Sequence, residues 1–114
     1  VMTNDSEANA LAQLTRGGLN PKKDFDFVAG YDSGFGAKPA PGPLLAFAKA
    51  VDLPASEVAM VGDSLHDLMA GRHAGMRTIG VLTGPARKED LRSLADVVFP
   101  DISHIPAYLD SLIR

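Results

Sequence analysis

Residues 58–67 read Val-Ala-Met-Val-Gly-Asp-Ser-Leu-His-Asp. Val58 to Val61 is short, apolar and partly β-branched, as a strand buried on both faces should be. Gly62 lets the backbone leave the strand tip. Ser64 to Ala74 then predicts a helix, with Gly75 as its left-handed stop. This places Asp63 at the carboxyl end of a parallel strand, where open α/β sheets bind ligands. Asp67 follows four residues on, about one helical turn, so both carboxylates can face one mouth. Hard oxygen donors at such a point suit Mg²⁺, which holds one or two carboxylates and completes its shell with phosphate and water. Taken singly, Asp63 also suits a helix N-cap and Asp67 a solvated helix surface.

Upstream lies Gly36-Ala37-Lys38-Pro39-Ala40-Pro41-Gly42-Pro43. Three alternating prolines exclude a helix interior or a central strand and stiffen the segment. A helix is predicted from Pro43 to Val51, with Leu44, Leu45, Phe47, Ala48 and Val51 on its buried face. Lys38 thus stands on a stiff loop at a helix entrance, where it can neutralise a phosphate as a point charge. An ordinary solvated lysine is the competing reading. At the start of the chain, Val1-Met2 reads as a strand stub ending at Thr3, before a helix from Ser6 to Arg16 stopped by Gly17-Gly18. The Thr3 hydroxyl can donate to a phosphoryl oxygen or serve the turn.

These three pieces, in this order, resemble the haloacid dehalogenase (HAD) superfamily of phosphohydrolases, and its phosphoglycolate-phosphatase-like branch in particular. The matches are Thr3, Lys38 with Pro39 and Pro41, and Gly62-Asp63-Ser64 with Asp67. The stretch from Ala70 to Val81 is similar as well. The resemblance implies a three-layer, Rossmann-like α/β core with a mainly parallel sheet. It implies catalytic roles for Thr3 and Lys38 on the phosphate, with Asn4 beside them. It also implies an Mg²⁺ site at Asp63, which Asp67 supports from behind or through Lys38. The family reaction is hydrolysis of a small phosphorylated metabolite through an aspartyl-phosphate.

The family core opens with a strand ending in Asp-x-Asp, which supplies nucleophile and general acid, and this branch then inserts a helical cap. Neither precedes Thr3. Asp24-Phe25-Asp26 has the letters but follows Lys22-Lys23 instead of an apolar strand. Residues 1–114 are therefore expected to be a partial, incomplete core carrying the second to fourth family motifs, inactive alone. The alternative is a non-catalytic binding or interaction module on the same core. A phospho-receiver domain fits worse, because its acidic residues come early and its lysine late.

The chain of 114 residues suffices for one modest core, with 46% hydrophobic and 22% charged residues. A net charge of −3 gives no reason to expect nucleic acid or an anionic membrane as partner. There is no cysteine, hence no disulfide and no zinc–thiolate site. No apolar run reaches membrane-spanning length and no signal peptide is visible, so a cytoplasmic protein is expected.

Further strands are predicted at Phe25–Ala29, Thr78–Val81 and Val97–Phe99, and helices at Lys88–Leu94 and Ile105–Ile113. His66 and His73 read as helix-surface residues. Thr83-Gly84 follows a strand tip on the Asp63 side and reads as a turn that can border the site. Without the central family strand, Val58–Val61 is left as an apolar unpaired edge. Either Phe25–Ala29 moves against it or a second copy donates a strand, and a homodimer or strand exchange is the expected outcome.

Overall fold

The capping chemistry in the sequence places the helices. Ser6 accepts a hydrogen bond from the Asn9 amide at 3.1 Å and opens α1 (Glu7–Arg16), which closes at Gly17. Gly18 follows with φ at +84°, a conformation glycine adopts without steric cost. Pro41 and Pro43 flank the start of α2 (Gly42–Ala50). The computed structural model describes residues 1–113. After a 3₁₀ turn at Ala55–Glu57 come β1 (Ala59–Gly62), α3 (Leu65–His73), β2 (Arg77–Val81), α4 (Lys88–Arg92) and β3 (Val97–Phe99). A second 3₁₀ turn at Ile102–His104 leads into α5 (Ile105–Ile113).

The strands form a parallel sheet in the order β1-β2-β3. Val61 pairs with Ile79, and Ile79 in turn pairs with Val97. Each crossover carries one helix, the arrangement that parallel strands require. Helix α3 packs on β1 and β2, α4 packs on β3, and the two helices touch. Leu91 of α4 and Val98 of β3 meet over Gly80 on that face. Phe99, the next residue, points the other way, and its ring meets Tyr108 of α5 at 5.5 Å. Three layers result, and β2 is buried over four of its five residues. Leu44 and Ala48 of α2 join Ala70, Ala74 and Met76 in the core beside α3.

The predicted strand Phe25–Ala29 does not form. It contracts to one parallel bridge between Met2 and Ala29. Ala29 N donates to the Val1 carbonyl and Thr3 N to the Ala29 carbonyl, both at 2.9 Å. Phe27 leaves the ladder to pack on Phe35 and Phe47, with centroids 5.6 and 5.8 Å apart. Nor does this segment move against β1; it stays with the Val1–Thr3 stub. Helix α4 also stops at Arg92 instead of Leu94. The Leu94 carbonyl is drawn out of the helix by Thr78 Oγ1 at 2.9 Å and by Arg72 at 3.3 Å.

The sheet therefore ends at β1. A cleft of about 580 Å³ lies between that edge and Met2, lined by Met60 and Val61 and by Leu44 and Phe47 of α2. Lys38, Asp63 and Asp67 border the same cleft. No helix among the described residues is long and apolar enough to cross a membrane.

Candidate active site

Asp63 leaves the tip of β1 directly after Gly62, and Ser64 caps α3. Asp67, in the first turn of α3, folds back into that cap. Its Oδ2 accepts from Ser64 Oγ at 3.1 Å, from Asp63 N at 3.2 Å and from Ser64 N at 3.3 Å. Ser64 Oγ accepts from Asp67 N in return, which completes a capping box. Gly62 makes the close turn possible, since a Cβ there would lie 2.1 Å from that of Asp67. Asp67 ends up 7% exposed.

The other Asp67 oxygen, Oδ1, receives the Lys38 ammonium in an ion pair. Lys38 Nζ donates a second bond to the Met2 carbonyl at 3.0 Å. One cation thus ties the N-terminal stub to the β1–α3 turn. Such a charge-assisted contact is roughly twice as strong as a neutral one.

Asn4 fixes where Lys38 stands. Its side-chain amide donates to the Lys38 carbonyl and accepts from Lys38 N, both at 3.0 Å. Thr3 Oγ1 accepts from Asp5 N at 3.1 Å, so its own proton remains available to an acceptor. His73, at the end of α3, reaches the Pro39 carbonyl at 3.4 Å and steadies the same loop.

Asp63 differs from Asp67. Among the described residues, none donates a hydrogen bond to its carboxylate, which borders the cleft half-buried. No group of three His, Cys, Asp or Glu side chains is placed to enclose a metal among the described residues. One open carboxylate still falls within what Mg²⁺ uses when phosphate and water supply the rest.

The sequence profile of HAD-hydrolase-like proteins matches residues 36–105, from the Lys38 loop through the Asp63 turn to the start of α5. The chain belongs to the HAD-hydrolase-like family. Phosphoglycolate phosphatase of Psychrobacter arcticus is 36% identical over 86 residues, 75% of this chain and 37% of that protein. Phosphoglycolate phosphatase of Neisseria gonorrhoeae is 33% identical over 114 residues, 98% of this chain and 47% of that protein. The crystal structure of a haloacid dehalogenase-like protein of unknown function from Agrobacterium tumefaciens superposes with a TM-score of 0.83 at 26% identity. That match covers 99% of this chain and 54% of the other. The chain spans less than half the length of the two phosphatases it resembles.

In this HAD-like core, Asn4, Lys38 and Asp67 converge although the chain separates Asn4 from Lys38 by 34 residues, and Thr3 directly follows Met2, whose carbonyl Lys38 binds. Asp63 stands beside them at the strand end. The sequence reading missed that Asn4 is spent on the Lys38 peptide, and that the Met2 carbonyl serves as an anchor. It also missed that both Asp67 oxygens have partners within the protein. Asp24, by contrast, accepts from Asn20 N at 2.6 Å in an exposed turn, outside the residues lining the cleft.

Proposed function

We propose that residues 1–114 are a partial core domain of a phosphatase, carrying its phosphate- and metal-binding groups for a small phosphorylated metabolite. One observation carries this reading: the Lys38–Asp67 pair set beside the open Asp63 carboxylate at the carboxyl end of β1. The two phosphoglycolate phosphatases support the reaction class. Lys38 brings positive charge to the phosphoryl oxygens, and Thr3 brings a hydroxyl donor. Asn4 positions Lys38 through its peptide, and Asp67 holds the ammonium at the cleft. Asp63 offers one oxygen to Mg²⁺, which supplies charge neutralisation at the phosphate when bound. Asp67, with both oxygens engaged, supports the site through Lys38 instead of ligating directly.

Attack on phosphorus to give an aspartyl-phosphate calls for a carboxylate that these groups do not include. The cleft beside β1 is where a strand bearing it would sit. The 114 residues alone are therefore expected to show no turnover of a generic phosphate ester. A second reading, a non-catalytic binding or interaction module on the same core, is favoured by the largely apolar cleft walls. The β1 edge, which no strand pairs among the described residues, is also open to a strand from a second copy. Light scattering at micromolar concentration, with hydrogen exchange at Val58–Val61, reports that pairing; a monomer with freely exchanging amides speaks against it.

The decisive experiment is calorimetric titration of orthophosphate with Mg²⁺ present. Binding should weaken in Lys38→Ala and in Asp63→Asn. Unchanged binding in both variants would refute the phosphatase reading. Phosphate binding that depends on Lys38 but ignores both Mg²⁺ and Asp63 would favour the binding module.

A further inference from the structure

Thr83-Gly84 reads from the sequence as a turn bordering the site, and the function proposed above gives it no task. The structure brings Gly84, in the β2–α4 loop, hard against Asp63. A Cβ on Gly84 would lie 2.4 Å from both Asp63 Cγ and Oδ2, and 2.6 Å from Asp63 Cβ. Real Cβ atoms do not approach other atoms so closely, so an alanine here would push the Asp63 side chain or the loop aside. The backbone does not itself require glycine here, because φ at Gly84 lies outside the left-handed region. Space is the only demand. The loop is also tethered on both sides, by Leu82 N to the Phe99 carbonyl at 3.0 Å and by fully buried Leu91.

Asp67 is oriented by hydrogen bonds, but the Asp63 carboxylate has none among the described residues. Its orientation must come from packing, and Gly84 is what it packs on. We infer that Gly84 is a positioning residue for Asp63, its bare backbone forming the wall that turns the carboxylate toward a divalent cation in the cleft. This rests on the proposed metal role of Asp63. Groups that orient a metal ligand typically change affinity by about 10- to 100-fold when altered.

Two measurements test it. In the first, Mn²⁺ is titrated into the ¹⁵N-labelled chain and paramagnetic broadening of the Ser64 amide is followed. Broadening should appear in the wild type and disappear in Asp63→Asn. Gly84→Ala should need on the order of tenfold more Mn²⁺ for the same broadening. The second is a stability cycle. Gly84→Ala should lower the melting temperature of the wild type but not of Asp63→Gly, where the clashing side chain is gone. If Gly84→Ala fails to fold alone, the double variant should still fold. An unresponsive wild type would overturn the metal role of Asp63 and this inference with it. A responsive wild type with an unchanged Gly84→Ala would overturn the role of Gly84 alone. Equal destabilisation in both backgrounds, or an unfolded double variant, would show that Asp63 is not what Gly84 makes room for.

Discussion

Two parts of this molecule use the same parallel pairing with very different results. Residues 59–99 build a continuous ladder, β1 to β2 over four pairs and β2 to β3 over three. Residues 1–3 and 27–29 share one bridge. The two regions also differ in cover. Strand β2 has α3 and α4 over one face, and its layer meets α5 on the other. The Met2–Ala29 pair has α2 and a small aromatic cluster beside it and the cleft along its edge. Parallel ladders persist where both faces are buried. The candidate residues nevertheless gather near the seam: Asn4 comes from the short part, Asp63 and Asp67 from the long one, and Lys38 joins them.

Cutting the seam should have the largest effect. Lys38→Met leaves Asp67 nearly buried without its cation, a loss of about 3–5 kcal/mol in urea unfolding. The double variant Lys38→Met/Asp67→Leu should recover much of that, because an apolar pair leaves no stranded charge. If the double is no better than the single, the seam is held by something other than this pair. Within the long part, Leu68 is fully buried, and Leu68→Ala should cost about 2–5 kcal/mol. Phe27→Ala in the short part should cost less despite its larger ring, since Phe27 is only half-buried. The reverse order would contradict the view that the ladder is the stable half.

A smaller effect belongs to the α1 cap. Ser6→Ala removes the acceptor for Asn9 N and should cost about 1 kcal/mol by thermal melting. The smallest effect is one of pH. Hydrogen bonds from the Asn9 side chain and then from Ser6 N hold exposed Asp5 below the usual carboxylate range. A carboxyl lowered in the folded state contributes stability above its unfolded value and loses it as pH falls through the folded one. Asp101, held low by the Ser103 hydroxyl and then by Ser103 N, should act the same way beside β3. Asp5→Asn should flatten the acid limb of a melting-temperature profile slightly, and a steeper limb would contradict the assignment.

Much of the long part is legible in the sequence because its signals are local. The apolar run before Gly62, the Ser64 cap and the stop at Gly75 each lie within a few residues of what they control, and α5 falls on Ile105–Ile113 as predicted. Phe25–Ala29 carries equally good strand letters. A strand, however, is completed by its neighbours, and among the described residues this segment pairs through a single bridge, Ala29 with Met2. The position of Lys38 was readable from its prolines. That its Nζ binds a backbone carbonyl, and that Asn4 faces a peptide instead of a ligand, depends on contacts 34 to 36 residues apart. Gly84 shows the same limit: a glycine after a strand looks like a turn until the atom it makes room for is known.

The two-point hold of Asn4 on Lys38 has a consequence for engineering. Residues 30–33 are already fastened to the start of α1: Tyr31 N donates to the Asp5 carbonyl and Asp32 accepts from Glu7 N. Lys38 is registered independently, by Asn4. Between these moorings Gly34 has open space around it, with nothing within 4 Å of where a side chain would begin. The loop therefore has room to lengthen at Gly34 between its two moorings, and a short peptide tag inserted there is expected to leave the register of Lys38 in place.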